Sequence, residues 1–146
     1  MTIGDIIELE EDGKKVYLQY VKEAENETLL EKVRVFYRVF DERPIDIYSI
    51  IKEDFFFLDF PYRYGIKEKG VNLIGNIPLS RDFTIPKRFR TENVFGSGWR
   101  IINEGDRSEV VEGLNDEQKK LSPYGMWSIP VIFENLKNGW RLENWI

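Results

Sequence analysis

Asp5-Ile6-Ile7-Glu8-Leu9-Glu10-Glu11-Asp12-Gly13-Lys14-Lys15-Val16-Tyr17-Leu18-Gln19-Tyr20-Val21 is the stretch that decides the fold. In its first arm Ile7 and Leu9 point one way and Glu8 and Glu10 the other, the two-residue period of a half-buried strand. Asp12-Gly13 supplies the positive φ angles that a tight hairpin turn needs, and Val16 to Val21 returns as the second strand. Two antiparallel strands joined so early predict a sheet built from hairpins.

Working outward, Glu23 to Glu31 is polar and acidic and reads as a loop or a short exposed helical turn, and Val33 to Phe40 is a third strand, rich in β-branched and aromatic residues. Asp41-Glu42-Arg43-Pro44 is a turn. Ile45 to Lys52 fits a short helix and a strand equally well. Asp54-Phe55-Phe56-Phe57-Leu58-Asp59-Phe60 is apolar on both faces, so it belongs at the centre of the core with Phe55, Phe57 and Leu58 inside. Further strands are expected at Val71 to Leu79, interrupted by Gly75 and ended by Pro78, and at Trp99 to Ile102, with a turn at Glu104-Gly105-Asp106. Asn115 to Leu121 has a helix N-cap with acids first and bases last. Residues 128–139 read as a helix begun by Ser128-Ile129-Pro130 and stopped at Gly139, or as the first arm of a hairpin turning at Asn138-Gly139. The chain is expected to be one α+β domain over residues 1–146. It would be mostly antiparallel β, a strongly bent sheet or partly open barrel with one to three short helices.

The 146 residues include no histidine and no cysteine. A Ser-His-Asp or Cys-His nucleophile is therefore impossible within the chain, and zinc, haem and iron–sulfur sites lose their usual ligands. No cofactor is expected. Paired carboxylates survive as possible hydrolytic apparatus, with Glu8 and Glu10 or Asp54 and Asp59 as candidates, which leaves a carboxylate-dependent hydrolase as the third functional reading. Gly96-Ser97-Gly98 is too short for a phosphate loop or a dinucleotide fingerprint, and no twelve-residue calcium loop is present. Neither a membrane-spanning run nor a secretory signal is visible, so the expected address is cytoplasmic.

Charge is unevenly placed. Residues 1–31 carry nine acids against three bases, a balance of −6, and the other 115 residues carry seventeen acids and eighteen bases, a balance of +1. Glu8, Glu10, Glu11 and Asp12 are thereby marked as a surface that would steer a basic partner, against the plainer reading of a solvated strand edge. Arg81, Lys87, Arg88 and Arg90 surround Phe89 and offer a rival reading, a small nucleic-acid-binding module, although an acidic chain is a poor phosphate binder. The four tryptophans, Trp99, Trp127, Trp140 and Trp145, are better placed in a core than at an interface.

The opening Gly4-Asp5-Ile6-Ile7-Glu8-Leu9, then Asp12-Gly13-Lys14, Tyr17 and Gln19, resembles the N-terminal signature of the immunity protein 26 family of bacterial polymorphic-toxin systems. The aromatic strand at Val33 to Phe40, the segment Ile74-Gly75-Asn76-Ile77-Pro78-Leu79, and Pro86 and Phe89 are similar to its later blocks, so the resemblance spans about the first ninety residues. It implies a non-catalytic cytoplasmic antidote whose partner is a protein toxin domain; the acidic N-terminal charge points to a basic one, no membrane partner is expected, and nucleic acid is the disfavoured alternative partner. The family offers no contact motif to transfer, and oligomeric state is not legible in the residues.

Overall fold

The Asp12-Gly13 turn forms as its residues dictate, with φ of 50° and 77°, and it joins β1 (Asp5–Glu11) to β2 (Lys14–Lys22) in a register that sets Leu9 opposite Val16 and Glu8 opposite Tyr17. The computed structural model describes residues 2–26, 30–61 and 69–146. Of the expected acidic loop at 23–31, residues 27–29 lie outside the described ones.

β3 (Lys32–Phe36), β4 (Phe55–Asp59) and β5 (Val71–Asn76) complete a five-stranded antiparallel sheet in the order β4-β3-β2-β1-β5. A second sheet holds β6 (Arg88–Glu92), β7 (Trp99–Asn103) and β8 (Glu109–Val111) in chain order. Ser122 to Met126 runs between them as a seam. Its backbone bonds to β6 through Arg90 N–H to Ser122 O (3.0 Å) and Tyr124 N–H to Arg90 O (2.9 Å). It bonds to β4 through Asp59 N–H to Gly125 O (3.0 Å) and Phe57 N–H to Ser122 Oγ (2.9 Å). The result is α+β, mostly antiparallel, and not closed into a barrel.

The tail is helical rather than a hairpin arm. In α1 (Ile129–Lys137) the Ser128 hydroxyl accepts from the Val131 N–H, Pro130 sits in the first turn where its missing N–H costs nothing, and Gly139 follows the helix at φ 79°. Its buried stripe of Ile132, Phe133 and Leu136 covers the sheet face made by Ile7, Leu9, Leu18, Val33, Val35, Phe56 and Leu58, and Trp127 and Trp140 close the edge. Phe55, Phe57 and Leu58 do sit in β4, but Phe56 and Leu58 face the helix, while Phe57 joins Val21 and Phe89 on the other side and Phe55 is half-buried.

Several expectations need correction. β1 is buried on both faces, because Ile6, Tyr17, Phe36, Ile50 and Ile77 form a second core on the side that was expected to be wet. β3 stops at Phe36, and the chain returns to the ladder at Phe40, which exchanges both backbone hydrogen bonds with Lys15 (2.8 Å each). Ile47–Lys52 is a 3-10 helix capped by the Asp46 carboxylate. The expected helix at Asn115 to Leu121 shrinks to a 3-10 turn over Gln118–Lys120. Asn115 and Gln118 there cap each other reciprocally (2.8 and 2.9 Å), and Pro123 just beyond disfavours continuation. Arg81 to Arg90, a basic stretch with Pro86 that reads as a loop from its sequence, is not wholly one, since its last three residues open β6.

Candidate partner-binding surface

Glu10, Glu11 and Asp12 stand at the β1–β2 turn as expected, Glu10 and Asp12 exposed and Glu11 partly so. Among the described residues Glu10 pairs loosely with Lys15, at 3.7 Å. Lys14 is drawn to Asp41 across the turn. Beside the turn, α1 contributes Glu134 and Lys137 to a shallow groove of about 320 Å³ whose other walls include Glu11, Asp12, Pro130 and Phe133. Three carboxylates thus meet one ammonium group, and the Lys137 Nζ lies over the Phe133 ring at 5.5 Å. A groove of this balance attracts cations. Glu134 was not legible beforehand, since only the packing of α1 on β1 brings it there.

Glu8 does not belong to this surface. It is 1% exposed: Tyr17 Oη–H donates to Oε2 at 2.9 Å, and Arg43 clamps both carboxylate oxygens at 2.8 and 3.0 Å. Burial alone would raise its pKa, but the hydrogen bonds from Arg43 and Tyr17 and the guanidinium charge outweigh burial and hold it below the ordinary value. Burial and the same carboxylate push the Tyr17 hydroxyl up. Glu8 therefore fastens the turn carrying Arg43 onto the sheet.

Glu8 is one end of a polar row on the second sheet face. Gln19 Nε2–H donates to Ile77 O (2.7 Å), and its Oε1 accepts from Arg34 Nε–H (2.6 Å). The Arg34 guanidinium lies over Phe36, Phe55 and Phe83 at 5.1, 4.8 and 4.9 Å. Burial brings its pKa down to about 10, well above neutrality, so it stays charged. Lys32 is held by Asp59 (2.7 Å) and Glu104 (3.0 Å). Burial nonetheless leaves Asp59 above its ordinary pKa despite the lysine. Gly4, Glu8, Tyr17 and Gln19, which carry the family resemblance, are thus internal bonding partners. A Cβ on Gly4 would fall 2.6 Å from Ile77 O.

The candidate carboxylate pairs are separated by the same bonds. Glu8 is committed to Arg43 while Glu10 points to Lys15. Asp54 pairs with Arg141 (2.7 Å) and Asp59 with Lys32. Five positions apart along one extended segment, Asp54 and Asp59 also project to opposite faces. Asp54 and Tyr37 are shared by two open clefts of about 210 and 480 Å³, whose other charges belong to Arg38, Glu53, Arg141, Glu143, Asp116, Lys119 and Lys120. Among the described residues no group of three or more acids is arranged to hold a metal ion.

The basic segment divides. Arg81, Lys87 and Arg88 are exposed, and Arg88 is engaged with Asn103 (3.1 Å) and Glu109 (3.8 Å). Arg90 is 0% exposed and cannot meet a phosphate. Its guanidinium donates to the carbonyls of Lys119 (3.0 Å), Leu121 (2.9 Å), Leu142 (2.7 Å) and Trp145 (2.6 Å) and lies over the Trp99 and Trp145 rings at 5.1 and 4.5 Å. Burial lowers its pKa to about 10 without discharging it at neutral pH. Phe89 is core, so it offers no platform for a base to stack on. Among the described residues no helix is long and apolar enough to cross a membrane. Comparisons with family models, curated proteins and solved structures return no match.

Proposed function

We propose that this chain is a non-catalytic immunity-type protein that binds a basic toxin domain in the cytoplasm and neutralises it, using the acidic β1–β2 turn as a docking surface. The observation that carries the reading is the cluster of Glu10, Asp12 and the partly exposed Glu11, continued by Glu134 along α1, where three carboxylates face one ammonium group among the described residues of the groove. Complementary charge speeds encounter and discriminates against wrong partners, which an antidote requires. The resemblance to immunity protein 26 points the same way, and the absence of histidine and cysteine from the sequence fits a role in binding.

The test asks first whether the adjacent reading frame encodes a protein whose C-terminal domain kills the host when this chain is absent; that domain is then co-expressed with this chain and titrated against it. Glu10→Lys, Glu11→Lys and Asp12→Lys together are expected to slow association and flatten its salt dependence, with little change in stability because exposed charges contribute little to it. Glu8 stays wild type, since its loss would report on folding. Rescue untouched by the reversal, with oligonucleotide binding lost when Arg81, Lys87 and Arg88 are neutralised, would replace this reading by the nucleic-acid one.

A further inference from the structure

β3 carries a cation in the middle of an apolar strand. In Lys32-Val33-Arg34-Val35-Phe36 the two valines face α1, and the alternation turns Arg34 to the second sheet face, opposite Gln19 of β2 and Phe57 of β4. Phe36 and Phe55 flank it on the sheet, and Phe83 is brought over it by a turn closed through Phe83 N–H to Ser80 O (3.1 Å). Arg34 is left 7% exposed among these rings, of which Phe55 and Phe83 are themselves partly exposed.

Three cations are buried among the described residues, and two of them have spent their donors. Lys32 is held by Asp59 and Glu104, and Arg90 donates to four carbonyls. Arg34 donates through Nε–H alone, to Gln19 Oε1 at 2.6 Å. Among the described residues its Nη1 and Nη2 reach no acceptor and no carboxylate pairs with it, yet these nitrogens are not sealed off from solvent. The other charges of this face are closed off, Glu8 by Arg43 and Lys32 by its two acids, while Arg81 and Asp82 on the covering loop are exposed and opposite in sign. Burial alone lowers the Arg34 pKa, with no neighbouring acid acting against it.

Burying a charge without a counter-ion is costly, and ring faces offset only part of the cost, since they leave the N–H bonds of the fork without in-plane acceptors. A planar fork open beside an aromatic wall receives a carboxylate edge-on, through two parallel hydrogen bonds. Phosphate fits less well, because one guanidinium does not offset a dianion and phenyl rings do not replace its hydration. We infer that Arg34 anchors a ligand site in which its Nη1–Nη2 fork holds the carboxylate of a small monocarboxylate whose apolar body lies against Phe55 and Phe83. Apolar walls with one well-placed polar group are the usual make-up of a small-molecule site. The site is independent of the docking turn at Glu10 to Asp12, so either can fail alone.

The probe is sodium benzoate, titrated into the wild-type chain and followed by calorimetry and by the NMR signal of the Arg34 Nε–H. A saturable shift of that signal is expected, with one equivalent bound and a Kd of about 1 mM or tighter. Benzyl alcohol, similar in shape but uncharged, should bind about thirty-fold more weakly, and Arg34→Lys, which keeps the charge but not the fork, should weaken benzoate about tenfold. A melting curve shows whether Arg34→Lys folds; if it does not, the wild-type comparison of benzoate with benzyl alcohol decides alone. No saturable shift at about ten times the expected Kd would overturn the site. Equal binding of benzyl alcohol would overturn it by reducing it to an apolar cleft, and displacement of benzoate by equimolar phosphate or chloride would overturn the carboxylate assignment.

Discussion

Replacing Arg90 by alanine or methionine should act on folding rather than on any ligand. Its four acceptors are backbone carbonyls, which no compensating substitution can remove, so even a methionine of similar length leaves them without donors. Each buried acceptor left bare costs about 1–3 kcal/mol. If water recovers two of the four, the other two and the lost contacts over Trp99 and Trp145, at about 0.5–1 kcal/mol each, sum to about 3–8 kcal/mol. Relief of the guanidinium's own desolvation draws this to the lower part of the range, about 4 kcal/mol. Stability for a chain of this length is of order 7–20 kcal/mol, so the variant should fold with a much lower denaturation midpoint. Arg90→Lys keeps the charge but has three donors and no planar fork, and should lose about half as much. Urea titration followed by tryptophan fluorescence reads the effect directly, since Trp99 and Trp145 are the rings involved. A loss under about 1 kcal/mol in Arg90→Ala would refute the hub described here.

Phe57→Ala should cost about 3–5 kcal/mol and Phe55→Ala clearly less, because Phe57 is enclosed with Val21 and Phe89 while Phe55 is half-buried. Equal losses in a denaturant titration would mean the face assignment of β4 is wrong. Glu8 titrates below its ordinary value of 4.5 in the folded chain, so its contribution is complete above that pH and disappears as pH falls through the folded value. Glu8→Gln should therefore destabilise by about 2 kcal/mol at pH 7, with the gap to wild type narrowing as pH falls below the ordinary carboxylate value of 4.5, as urea titrations across the acid range would show. A gap that does not narrow anywhere below that ordinary value would place the stabilisation elsewhere.

Local chemistry was readable where the signal is local. Asp12-Gly13 set a turn and the three phenylalanines with their neighbours marked a strand covered on both sides, whereas Ser128, Pro130 and Gly139 suited a helix but Asn138-Gly139 suited a hairpin turn equally, and packing on the sheet selects the helix. The shortened helix at Asn115 to Leu121 is a local failure, set by the Asn115 and Gln118 caps and Pro123, whereas the failures that bear on the site are cases where distant chain decides. The alternation in β1 separates two faces but cannot reveal that Ile50 and Ile77 come to cover the second one, and this turned Glu8 from a surface charge into an internal one. Arg90 looks like its basic neighbours until the carbonyls of residues 119–145 converge on it. Of the acidic set, Glu10, Glu11 and Asp12 kept their surface position because a hairpin turn projects whatever packs around it.

The seam at Ser122 to Met126 also governs how fast the fold can assemble. Phe57 and its partner Ser122 are 65 positions apart, and each local hairpin can close long before such a contact is found. Closing a loop of that length costs conformational entropy before any bond repays it, so non-local pairings of this kind slow folding relative to hairpins of the same stability. The β1–β2 hairpin and the β6-β7-β8 sheet should therefore form early, whereas β5, whose register sets Asn76 opposite Asp5, and the seam dock late. During that interval the edges of β4 and β6 are bare, and crowding or delay at this step would favour pairing between chains over pairing within one.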